Sequence, residues 1–229
     1  MEDRDLAYKY MQHLNDQNEG FSNTPYLDSK GNPTVGHGLN LNSPETAQRI
    51  RMVAGIEPND LLSGAAKITP EQSDAVRRSN FDATTDKLQN LKDANFPSAE
   101  LNPAQHAALA DMHYENHNLI GPQLQDKLNK NDVHGAIKEI LLNSNAGDEP
   151  GEQKRRLAQA AMFGGPVDFN MAIKNMSKDE RDQIRDTLDK MKNPNELNRV
   201  YQQYPVLDPT KEYAPAQASF YKIPKLFGE

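Results

Sequence analysis

Glu19-Gly20-Phe21 and, five residues on, Tyr26-Leu27-Asp28-Ser29-Lys30-Gly31-Asn32-Pro33-Thr34-Val35-Gly36-His37-Gly38 carry the most informative pattern in the chain. Residues 21–41 are rich in Gly, Asn, Pro and Thr. Ser29-Lys30-Gly31-Asn32 is a turn signal between two short extended runs, so the stretch reads as a small β-hairpin or meander. Upstream, Arg4 to Asn18 reads as a helix. Leu6, Tyr10 and Leu14 recur every four residues, and the pattern stops at Gly20, a helix C′ position. Glu19 therefore falls at the end of a helix, Asp28 at the end of an extended run, and Thr34 on the returning strand.

Those three residue types suit one chemistry. Cleaving a glycosidic bond by water needs a proton donor for the leaving oxygen and a second carboxylate that attacks or activates water. The partial negative charge of a helix C-terminus disfavours a carboxylate anion, which raises the pKa of Glu19 as a general acid requires. Asp28, in a loop facing a cleft, stays solvated and ionised, and the Thr34 hydroxyl is placed to orient water. The three converge if the hairpin folds back against the helix end. Spacing alone is weak support, because the chain carries 33 acidic residues and an isolated Asp in such a place is a turn residue.

Beyond Asn42 the chain reads as helical. Thr69-Pro70-Glu71-Gln72 opens a long polar helix to about Leu91, with Thr69 as N-cap, Pro70 at N1 and Gln72 completing a capping box. Pro103 to about Asn116 carries Ala107, Ala108, Leu109 and Met112, small residues that suit burial among other helices. Shorter helices follow at Pro122 to Leu128, Val133 to Asn143 and Gly151 to Phe163. Gly164-Gly165-Pro166 is a breaker cluster and the boundary between residues 1–163 and a C-terminal extension, 164–229. Ser177 with Glu180, and Asn193-Pro194 with Glu196, open two further helices there. The tail from Pro205 is rich in Pro and Tyr and reads as irregular.

The resemblance to a known family rests on several of these segments together. The Glu19–Asp28–Thr34 intervals, with Gly-x-Gly after the Thr, resemble the signature of the phage-type lysozymes, glycoside hydrolase family 24. Ile68-Thr69-Pro70-Glu71-Gln72 resembles the start of that family's inter-lobe helix. Residues 103–112 resemble its central buried helix, and Pro150-Gly151-Glu152-Gln153-Lys154-Arg155-Arg156, running on to Met162-Phe163, resembles its Pro-Gly-x-x-x-Arg-Arg segment. The likeness runs through residues 1–163 in the family's order.

The resemblance implies a mainly α (α+β), two-lobed lysozyme-like fold: a small β-hairpin lobe, a long inter-lobe helix and a helical lobe. It implies a peptidoglycan hydrolase cutting the β-1,4 bond between N-acetylmuramic acid and N-acetylglucosamine, with no cofactor and no metal. Glu19 is then the general acid, Asp28 positions or activates water, and Thr34 assists. Arg155 becomes the basic partner of Glu19, which favours the charged carboxylate and opposes the helix-end effect. Arg156 is a second candidate for that place. Met112-His113-Tyr114-Glu115-Asn116-His117 falls where the family lines its cleft, so Glu115 and Asn116 are expected to touch sugar. The chain departs from the family after Gly-x-Gly, where Leu39 replaces a His and His37 stands inside the motif. His37 is read as lining the cleft, without a catalytic role.

Other readings fit less well. His113 and His117, at i and i+4, suggest zinc, but Tyr114 stands where a zinc peptidase needs Glu. A lytic transglycosylase cuts the same bond with one Glu, and Asp28 argues for hydrolysis instead. A non-catalytic glycan-binding or phage structural module would not require all three residue types.

Composition bounds the partners. The net charge of −7 excludes a protein built around the phosphate backbone of nucleic acid. It also differs from the basic character common in wall-degrading enzymes. Mean hydropathy is −0.86, and no apolar run reaches the roughly 18 residues of a membrane span. Residues 164–229 carry ten acids and ten bases, so the whole acidic excess lies in residues 1–163. Met1-Glu2-Asp3-Arg4-Asp5 lacks an apolar core for a secretory signal. The expectation is synthesis in the cytoplasm and delivery to the periplasmic wall by a holin, a particle or a secretion machine, with a carrier engaged through residues 164–229. Absence of cysteine excludes disulfides and thiolate metal sites.

Overall fold

The computed structural model describes residues 2–18, 20–28, 31–90, 101–144 and 149–208. It divides into two compact units, Met1–His117 and Asn118–Glu229.

In the first unit, helix α1 (Glu2–Asn18) leads into strands β1 (Ser22–Leu27), β2 (Pro33–Gly36) and β3 (Leu39–Asn40). They form an antiparallel sheet in the order β1-β2-β3. Tyr26 pairs with Thr34 and Leu27 with Pro33, while the register shifts between Ser22 and Tyr26. Pro25 lies in that interval and has no N–H to give to a ladder. Helix α2 (Pro44–Arg49) runs into a short π-helical stretch, Ile50–Ala54, which Gly55 ends at φ 67°. Helices α3 (Pro58–Ser63), α4 (Pro70–Asn90) and α5 (Pro103–Glu115) complete the unit.

Its sheet side closes over Val35, Leu39, Leu41, Ile50, Leu61, Ile68 and Val76. Burying a side chain of the size of Leu61 or Ile68 contributes about 1.5–3 kcal/mol. The start of α4 is capped as the sequence predicts: Gln72 N–H donates to Thr69 Oγ1 (3.2 Å) and Thr69 N–H to Gln72 Oε1 (3.0 Å). Asn102 and Gln105 form a second such box at α5.

Six successive α5 residues, Ala107 to Met112, are buried. A run that long covers every face of a helix, so the small side chains let α5 sit within the packing, as expected. The buried stripe of α1 differs from expectation. It is Ala7, Tyr8, Met11 and Leu14, whereas Leu6 and Tyr10 are half-buried. The four-residue repeat of Leu6, Tyr10 and Leu14 marks the flank of the face that packs against α5.

Helix α4 reads as loosely amphipathic because several of its inward polar residues are paired with other side chains. Asp74 accepts from Tyr8 Oη (2.9 Å), Gln12 Nε2 (2.7 Å) and Arg77 (2.8 Å). Arg78 reaches Asp5 and Asp82 and stands 4.8 Å over the Tyr8 ring. These bonds tie α1 to α4.

The second unit holds α6 (Pro122–Asn129), α7 (Val133–Leu142), α8 (Pro150–Asn175), α9 (Lys178–Leu188) and α10 (Pro194–Gln203). Here the helix expected to stop at Phe163 is broken close by, at Gly165 (φ 60°, ψ −179°), and a second helical run that the sequence did not announce carries α8 on to Asn175. The Gly165 conformation is open essentially to glycine alone. Pro166 then occupies a first-turn position, where its missing N–H costs nothing, and the helix resumes. Gly164 is needed for closeness: a Cβ there would lie 2.4 Å from Ile137 Cδ1 on α7.

Helix α9 carries the expected Ser177–Glu180 capping box. At α10, Asn193 caps by accepting from Asn195 N–H (3.1 Å), but Glu196 does not complete a box. Its carboxylate pairs with Lys154 of α8 (2.8 Å). Phe169 and Tyr204 stack in the core at 5.6 Å. Among the described residues no helix is long and apolar enough to cross a membrane.

Candidate active site

Asp28 directly follows β1 and opens the turn between β1 and β2. Its carboxylate accepts from Asn32 N–H at Oδ1 (2.7 Å) and from Asn32 Nδ2 at Oδ2 (3.2 Å). In return Asp28 N–H donates to the Asn32 carbonyl (3.0 Å), and Gly31 N–H to the Asp28 carbonyl (3.0 Å). Gly31 stands at φ 80°, where a side chain is strained. The turn thus fixes the carboxylate through partners four residues away. Ser29 and Lys30 lie outside the described residues.

Thr34 joins the same network. It is 3% exposed, and its Oγ1 donates to the Asn32 carbonyl (3.2 Å). With its proton spent on Asn32, the hydroxyl faces further partners as an acceptor. Asn32 therefore links two of the residues singled out in the sequence, and sequence reasoning passed it over as a turn residue. Glu19 lies outside the described residues.

The strand end carrying His37 is pinned to α4. His37 N–H donates to Ser73 Oγ (2.9 Å), and His37 Nδ1 lies 3.0 Å from the same oxygen. The His37 ring packs against Phe21 with centroids 5.0 Å apart. Gly36, at φ 64°, makes this approach possible, since a Cβ there would fall 2.2 Å from Ser73 Oγ. Ser73 has no signature in the sequence, because its partner is 36 residues away.

Glu115 and Asn116 lie at the end of α5 and line an open groove of about 600 Å³ within the first unit. Its walls include Glu45 and Arg49 of α2, Asn80 and Lys87 of α4, and Tyr114 of α5. Lys87 Nζ reaches both Glu45 oxygens at 3.1 Å. The hydrogen bond from Lys87, then its charge, holds the Glu45 carboxyl below its ordinary value. Helix α5 ends at Glu115, with Asn116 extended at φ −163°, so the helix that carries His113 does not run on to residue 117. Among the described residues no cluster of three His, Asp or Glu side chains is placed to hold a metal ion.

Arg155 and Arg156 lie on α8 in the second unit. Arg156 is fully buried, donating from Nε to the Ser144 carbonyl (2.7 Å) and from its guanidinium to Gln159 Oε1. Those bonds give it a structural post. Arg155 is half-buried.

A family model described as phage lysozyme matches residues 16–159. The span takes in Glu19, Asp28, Thr34, His37, Glu115, Asn116 and Arg155 and stops short of the break at Gly165. A search of curated proteins finds no match.

Proposed function

The chain belongs to the phage lysozyme family, and from that premise we propose that it hydrolyses peptidoglycan at the β-1,4 bond between N-acetylmuramic acid and N-acetylglucosamine, lysing bacterial walls. The observation that carries the reading is the Asp28–Asn32–Thr34 network inside the matched span. It joins an oriented carboxylate to a hydroxyl disposed to accept, and a water donating one proton to each would be held for attack. Glu19 protonates the leaving oxygen, and Arg155 is its basic partner. His37, Glu115 and Asn116 contact the glycan strand. The chemistry needs two carboxyl groups and water, without a cofactor.

Residues 164–229 are proposed as a C-terminal extension that engages a carrier or secretion partner. Substituting its exposed residues is then expected to reduce release from host cells while the purified protein keeps its activity. Unchanged release would refute that role.

The test of the enzyme reading is mass spectrometry of muropeptides after purified peptidoglycan is treated with wild type or Glu19→Gln. Reducing-end disaccharide peptides from wild type alone are expected. Products lighter by one water would identify a lytic transglycosylase instead. Equal lysis by Glu19→Gln, or no product from wild type, would sink the assignment.

A further inference from the structure

The turn that presents Asp28 closes on backbone bonds. Asp28 N–H donates to the Asn32 carbonyl (3.0 Å) and Gly31 N–H to the Asp28 carbonyl (3.0 Å). The Asn32 backbone also supplies the shorter bond to the Asp28 carboxylate, from N–H to Oδ1 at 2.7 Å, and its carbonyl accepts from Thr34 Oγ1 at 3.2 Å. The Asn32 side chain adds one further bond, from Nδ2 to Asp28 Oδ2 at 3.2 Å. That bond takes no part in closing the turn.

Its effect falls on the carboxylate instead. The last torsion of an aspartate is broad and roughly two-fold, so a carboxylate held at one oxygen still swings about that point. The bond to Oδ1 is such a pivot. A second donor on Oδ2 opposes the swing and fixes the directions of the lone pairs that Asn32 does not use. The amide is itself turned for this task. Its Oδ1 faces Asn42 Nδ2 at 3.5 Å, and Asn42 N–H donates to Asn40 Oδ1 at 2.8 Å. Asn40 pairs with Thr34 in the β2–β3 ladder. The chain beyond β3 therefore brings a donor to the acceptor end of the Asn32 amide and leaves its donor end for Asp28.

We propose that Asn32 is a positioning residue for the hydrolytic step: its side-chain amide, acting through Asp28, fixes the plane of the carboxylate that readies water. The proposal rests on the reading of the chain as a peptidoglycan hydrolase with Asp28 in that role. Attack requires a narrow range of directions, and a displacement of about 1 Å can slow a reaction on the order of 100-fold. Loss of the amide misdirects the water without removing a contact to the glycan strand, so it lowers kcat and leaves KM.

The full chain is assayed for kcat and KM on soluble peptidoglycan strands, with thermal unfolding followed in parallel. Asn32→Ala keeps the backbone bonds to Asp28 and Thr34 and loses only the amide. Its kcat is expected to fall about tenfold or more, with KM within about twofold of wild type. Its unfolding midpoint should stay within about 3 °C. Asn32→Asp matches asparagine in shape and suits a turn as well, but its ionised carboxylate cannot donate. It should be at least as slow as Asn32→Ala, and it carries the test alone if alanine destabilises the turn. In an Asp28→Asn background no carboxylate remains to be positioned, so Asn32→Ala should change the residual rate by less than about twofold.

A wild-type kcat in Asn32→Ala, a raised KM in place of a lowered kcat, recovery of wild-type kcat by Asn32→Asp, or an equal loss of rate in the Asp28→Asn background would each overturn the proposal. The muropeptide assay is read separately. Hydrolysis by wild type with no effect at Asn32 removes only this role, whereas no hydrolysis by wild type removes the enzymatic reading and the role with it.

Discussion

Replacing Gly36 by Ala should unseat the hairpin from α4, and the structure sets the size of the effect. At φ 64° an L-residue costs about 1–2 kcal/mol. The new Cβ would lie 2.2 Å from Ser73 Oγ and 2.9 Å from Ser73 Cβ. Such overpacking of a buried contact costs about 1–3 kcal/mol. Pushing Ser73 aside also breaks its bond to His37 N–H, worth about 1 kcal/mol. Together these reach about 3–6 kcal/mol, a midpoint lower by roughly 10–20 °C for a chain of this length.

Ser73→Gly supplies the decisive comparison, because it removes both clashing atoms at a helix-propensity cost of about 0.5 kcal/mol. The double variant should therefore be more stable than Gly36→Ala alone by about 1–2 kcal/mol, a coupling beyond simple addition. Thermal or urea unfolding of the four proteins measures it. A Gly36→Ala shift under about 3 °C, or a double variant less stable than Gly36→Ala, would refute the contact as the reason for the glycine.

Two further outcomes follow from local geometry. Gly165→Ala places a side chain at φ 60° and ψ −179° and should cost about 1–3 kcal/mol; a neutral effect in urea unfolding would show that the break in α8 is not held at that residue. Burial pushes the Asp74 carboxyl up, but hydrogen bonds from Arg77, Gln12 and Tyr8 outweigh it and hold the group below its ordinary 3.8. A lowered folded pKa stabilises above the unfolded value and loses that contribution as pH falls through the folded one. Stability of wild type should therefore drop more steeply than that of Asp74→Asn below about pH 4, and parallel acid limbs would contradict it.

Much of the fold was legible because its signals are local. The Thr69 and Ser177 caps, the prolines at helix starts and the hairpin turn each act within a few residues, and each lies where the sequence places it. The breaker cluster at Gly164–Pro166 does mark the break at Gly165, but the helical run to Asn175 beyond it was not legible, for a physical reason. Glycine and proline in that order suit a helix stop, yet one residue in a glycine-only conformation followed by proline at a first turn also restarts a helix. Which outcome wins depends on Phe169, Ala172 and Ile173, which the resumed helix buries. The α1 repeat misled similarly, since Ala7 and Met11 carry little pattern of their own and are the residues most deeply buried.

The candidate site divides along the same line. The Asp28 carboxylate is oriented by Asn32, four residues away, so the sequence could place it in a turn without knowing the fold. Its position against the helical wall is set by the Gly36–Ser73 contact, which no spacing rule connects. Orientation and placement are thus held by separate residues and should fail separately. Loss of the Asn32 side chain removes a hydrogen bond from Asp28 and leaves the strand on α4; a Cβ at Gly36 lifts the strand and leaves the turn intact. A site built this way keeps its carboxylate aimed while its wall shifts, and the glycine of the Gly-x-Gly motif is a packing residue before it is a catalytic signature.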